Sequence, residues 1–179
     1  MGATLIRGLA AIVFAIAGLA AFDARAQTPQ PAPAGDRLAP LAFLLGEWEA
    51  LPDGAGGKGS CTFALELQDR VIVRTNHAEA PAASGRPASV HDDLMVIYEE
   101  GTVLKADYYD SEAHQIRYVV SAPGPNRAVF LADATAAAPG YRLTYWLEKP
   151  GIVRGQFEIA APGKPGAFTT YLSWGMKRR

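Results

Sequence analysis

The sequence predicts an all-β protein: a single antiparallel up-and-down β-barrel of about ten strands, preceded by a short N-terminal helix. Three observations predict it. About ten short runs of alternating polar and apolar residues follow one another from Glu47 to Lys177. Breakers rich in Gly and Pro separate them, drawn from 18 Gly and 13 Pro in a chain of 179 residues. No helical period longer than two or three turns intervenes, which excludes the crossover helices a parallel sheet requires. Sequential hairpins of this kind build a sandwich or an up-and-down barrel, and closure into a barrel removes the exposed edges.

Taken in order, residues 1–26 read as a secretory signal peptide. Arg7 precedes an apolar run from Gly8 to Phe22, and Ala24-Arg25-Ala26 supplies a small-x-small cleavage pattern. The run is shorter than the roughly 20 residues of a membrane-spanning helix. The expected location is therefore periplasmic or secreted, with no stable membrane anchor after cleavage. Residues 27–36 form a Pro/Ala-rich linker (QTPQPAPAG and Asp36) with nothing to bury. Residues 37–179 form the barrel domain. Asp36 is placed to cap a short helix running to Leu45, which Gly46 stops. The strands are expected near Glu47–Ala50, Cys61–Leu67, Val71–Ala78, His91–Glu99, Thr102–Tyr109, Gln115–Ser121, Ala128–Ala132, Tyr141–Glu148, Ile152–Ala160 and Phe168–Lys177. Cys61 is the single cysteine, so no internal disulfide forms, and it reads as a small buried hydrophobe. With 17 basic against 18 acidic residues there is no basic footprint for nucleic acid. Lys177-Arg178-Arg179 reads as a solvated terminus.

The opening LAPLAFLLGEWEA (Leu38–Ala50), followed by the Gly-rich loop Gly54–Gly59, resembles the start of the nitrobindin-related, lipocalin-like barrels of calycin type. The stretches LMVIYEEGTVLKADYYDSEAHQIRY and GQFEIAAPGKPGAFTTYLSWGMKR look like those of exported bacterial barrels of unknown function. The resemblance implies a ten-stranded calycin-type barrel. Nitrobindins hold haem iron through a His near the C-terminal end of the barrel. The last His here is His114, and Phe168–Arg179 contains none. No matching position supplies the axial ligand, and no cofactor is expected.

Register arithmetic predicts a site. A two-residue turn at Glu100-Gly101 pairs Ile97 with Leu104, Met95 with Ala106, Asp93 with Tyr108 and His91 with Asp110. Alternation then sends Ile97, Met95, Asp93, His91, Leu104, Ala106 and Tyr108 inward, and Lys105 and Asp107 outward. Pairing His77 with His91 adds Val71, Val73 and Thr75 to the inner face. His114 follows with the parity of Ile116 and Tyr118. The expected ligand-binding residues are Thr75, His77, His91, Asp93, Tyr108, Asp110 and His114, at one rim above an apolar cavity. The expected function is binding of a small, partly apolar molecule. The alternative is an enzyme (lyase, isomerase or hydrolase) that uses a His–Asp pair as general base, possible metal assistance included. No nucleophile or phosphate-loop motif is present.

Overall fold

The computed structural model describes residues 37–52, 56–83 and 85–179. The signal-peptide, linker and Asp36-cap readings fall on residues 1–36 and lie outside those described. A 3₁₀ helix, Ala39–Leu44, leads into ten strands. They are β1 (Gly46–Ala50), β2 (Lys58–Glu66), β3 (Val71–Ala80), β4 (Ser89–Glu100), β5 (Val103–Asp110), β6 (Gln115–Gly124), β7 (Arg127–Ala132), β8 (Gly140–Lys149), β9 (Ile152–Ala160) and β10 (Thr169–Arg178). Each pairs antiparallel with the next, and β10 returns to β1 to close the barrel.

The helix is of the tighter kind because its apolar residues recur every third position. Leu38, Leu41 and Leu44 share one face at three residues per turn, and all three are buried. Leu38 occupies the N-cap position without a side-chain bond, and Pro40 sits in the first turn. This helix closes the barrel end that carries the short turns. Arg37 Nη1 donates to Thr102 O there at 3.0 Å, and Trp48 Nε1 donates to Leu44 O at 2.7 Å. Arg178, read from the sequence as solvated, packs its guanidinium over the Trp48 ring with Cζ 4.5 Å from the centroid. It also donates to Leu45 O at 2.7 Å, so it joins the helix to the last strand.

Aromatic side chains fill the middle of the barrel. Phe63, Tyr145, Phe130 and Tyr118 meet edge to face in a chain with centroids 5.7–6.1 Å apart, and Trp174 joins Tyr145 at 5.8 Å. Trp174 lies flat on Gly155, whose missing side chain leaves room for the indole. Met95, Ile97 and Ala106 have no accessible surface, so nothing the size of a water touches them. They are packed core rather than the floor of a cavity.

Two registers differ from expectation. The β4–β5 turn is Gly101-Thr102, with Glu100 paired to Val103, Met95 to Tyr108 and Asp93 to Asp110. Gly101 has φ +62°, so it takes the first central position, where positive φ is needed. The shift is two residues, and inward parity survives. Between β3 and β4 the shift is one residue. His77 pairs with Asp92 and Ala78 with His91. An odd shift turns the whole of β3 over. Ile72 and Arg74 face the interior, whereas Val71, Val73, Thr75 and His77 face outward.

Candidate functional site

The end opposite the helix forms a mouth, where the inner faces of β3, β4 and β5 present Asn76, His91, Asp93, Tyr108 and Asp110. Asp93 is the anchor. Its side chain is 3% exposed and forms an ion pair with Arg74, itself buried. Asn76 Nδ2 donates to Asp93 Oδ2 at 2.9 Å. A buried carboxylate requires such partners, since an isolated charge in the interior is strongly unfavourable. Burial pushes the Asp93 carboxyl above its usual range, against the pull of Arg74, His91 and Asn76. Arg74 Nε and the Tyr145 hydroxyl are also buried, and neither has a partner among the described residues.

From Asp93 the polar groups continue outward. His91 Nε2 lies 3.3 Å from Asp93 Oδ2 and 3.3 Å from the Tyr108 hydroxyl. His91 Nδ1 faces Glu112 Oε2 at 2.8 Å. Tyr108 donates to Asp110 Oδ2 at 3.3 Å. Burial first, then the carboxylates of Asp93 and Asp110, push the Tyr108 pKa far up, which keeps the phenol protonated as a donor. Asp110 closes the β5–β6 turn: its Oδ1 accepts from the backbone N–H of Glu112 at 3.0 Å and of His114 at 2.9 Å. Its Oδ2 faces His114 Nδ1 at 2.9 Å. Desolvation pushes the Asp110 carboxyl up, but the bonds from His114 and Glu112 outweigh it and hold it below its usual range. The opposite wall is apolar. Ala132, Tyr141 and Phe157 on β7–β9 pack partly buried against the core, with Tyr141 and Phe157 stacked at 5.9 Å, while Ile116 on β6 pairs beside Tyr108.

Of the expected residues, His91, Asp93, Tyr108, Asp110 and His114 form one connected network. His114 sits at its edge, with a side chain 63% exposed. Thr75 and His77 are elsewhere. Thr75 is opposite Leu94 on the outer face, and His77 lies between Asp92 (2.7 Å) and Glu79 (3.1 Å) outside the barrel. Their placement follows from the one-residue shift of β3. Sequence reasoning missed Arg74, Asn76 and Glu112. A signal for Arg74 existed: an inward Asp93 needs a cation, and Arg74 is the one on the neighbouring strand. The chain matches no protein-family model and no curated protein.

Proposed function

We propose that the protein is an exported carrier or sensor of a small, partly apolar molecule, held in the mouth of the barrel. One observation carries this reading: the mouth is two-sided. A wall of fixed acid, amide, imidazole and phenol groups faces a wall of partly exposed aromatic and aliphatic side chains. Such a mixture orients a ligand by a few polar contacts and binds it by apolar area. The aromatic chain beneath fixes the depth, so the ligand occupies the upper part of the barrel. The signal-like segment supports a periplasmic or secreted location, and the Leu38–Ala50 opening supports kinship with nitrobindin-related barrels.

A second reading has its own observation. Asp93 holds one nitrogen of His91, with Tyr108 alongside, which is the arrangement of an oriented general base. Native mass spectrometry of protein purified from its own host separates the two. A retained organic molecule supports the carrier, and conversion of an added ligand to product supports the enzyme. His91→Ala should weaken retention at least tenfold, and Lys105→Ala, on the outer face, should leave it unchanged. Equal effects from the two substitutions would refute a site at the mouth.

A further inference from the structure

We propose that His91, Asp110 and Glu112 form a binding site for one divalent transition-metal ion, with Zn²⁺ the best match, on the lip of the mouth. One ligand atom from each residue lies within 4.8 Å of the others. Donor atoms around a tetrahedral zinc stand roughly 3.3 Å apart, the edge length set by bonds of about 2.0–2.1 Å. His91 Nδ1 and Glu112 Oε2 already stand 2.8 Å apart, and the Glu112 side chain is half exposed.

His91 Nε2 points at Asp93 Oδ2, 3.3 Å away, and its Nδ1 is aimed at a second carboxylate, Glu112, at 2.8 Å on the lip. A ligating imidazole whose other nitrogen donates to a buried carboxylate is the usual outer support of a zinc-bound His, and Asp93, pinned by Arg74 and Asn76, supplies it. The local charge agrees. The network holds three carboxylates, Asp93, Asp110 and Glu112, and among the described residues its one permanent cation is Arg74, which pairs with Asp93. One imidazole and two carboxylates suit Zn²⁺; Ca²⁺ takes six to eight oxygens, more than this lip offers. His114, whose Nδ1 is 2.9 Å from Asp110 Oδ2, is the nearest further nitrogen.

The site shares His91 and Asp110 with the proposed small-molecule mouth, and a titration with the metal alone distinguishes the two. Untagged full-length protein is titrated with Zn²⁺ by calorimetry and in competition with a chromophoric chelator. One Zn²⁺ per chain is expected, together with a rise in Tm on loading. His91→Ala and Glu112→Gln should each weaken binding by about tenfold or more. His77→Ala removes the other imidazole held between two carboxylates and should leave binding unchanged. Glu112 is half exposed, so Glu112→Gln keeps the test decisive if His91→Ala fails to fold. Absence of saturable binding, or wild-type affinity in Glu112→Gln, would overturn the proposal. Loss of binding in His77→Ala alone would overturn it equally, by moving the ion to the outer face.

Discussion

Arg74 and Asp93 show how one buried charge dictates the residue across from it. Removing one member strands the other in the interior, and such losses cost about 3–5 kcal/mol. Asp93→Ala should therefore lower the urea midpoint by that measure. Replacing both members, Arg74→Met with Asp93→Leu, should recover most of the loss, since a well-packed apolar pair is often neutral or better. A double variant as unstable as the single one would mean that the network beyond Asp93, through His91 and Tyr108, carries the stability. This pair also marks where the sequence was hard to read. Val71, Ile72 and Val73 are all apolar, so both parities of β3 offer a hydrophobic start. Only the pairing of Arg74 with Asp93 chooses between them, and that is a tertiary fact. The sites on β4 and β5 were legible because Leu104, Ala106 and Tyr108 alternate cleanly with Lys105 and Asp107.

At the scale of elements, the strand from Val103 to Asp110 was recoverable to within its turn, and the error of two residues left its faces intact. The loop between β9 and β10 held a feature that alternation does not reveal. Arg142 on β8 forks onto Glu158 on β9 at 2.6 and 2.7 Å, while Phe168 from that loop lies against the guanidinium at 4.5 Å. Glu158 is thus a buried acid on an outward-facing position. The Arg142 bonds hold its carboxyl below the ordinary value of 4.5, against the opposing effect of burial. A depressed folded-state pKa contributes stability above the unfolded value, and that contribution disappears as pH falls through the lowered one. Glu158→Gln should therefore lose stability at pH 7, by at most about 1 kcal/mol because Arg142 is partly exposed. It should also flatten the fall in stability below pH 4.5, read from denaturation midpoints at stepped pH. An unchanged acid limb would assign that fall to other carboxylates.

For the whole molecule, ten runs and their breakers were enough to specify a meander, because each strand needs only its sequence neighbour to find its register. The filled interior was not legible. Alternation shows which residues point inward and says nothing of how their volumes sum, so an aromatic chain and an open cavity look alike in the sequence. The one ladder without a local turn is the seam, where Trp48, Glu49 and Ala50 meet Arg178, Lys177 and Met176. Arg178 is its fastening. Arg178→Ala loses a bond to Leu45 O and the contact on Trp48, together about 1–2 kcal/mol. Hydrogen exchange followed by mass spectrometry should then show β1 and β10 opening earlier than in the wild type, with β3–β5 unchanged. Uniform acceleration around the ring would mean that the seam is no weaker than the hairpins.

That seam has a consequence for the order of events during synthesis. Hairpins zip as soon as their two strands exist, but joining the first strand to the last requires the loop-closure entropy of nearly the entire barrel. A nascent chain that lacks its final strand is a curled ribbon with two unpaired edges, unable to lock. The commitment to a closed ring is thus postponed until β10 is free to meet β1, and the chain stays pliable until then.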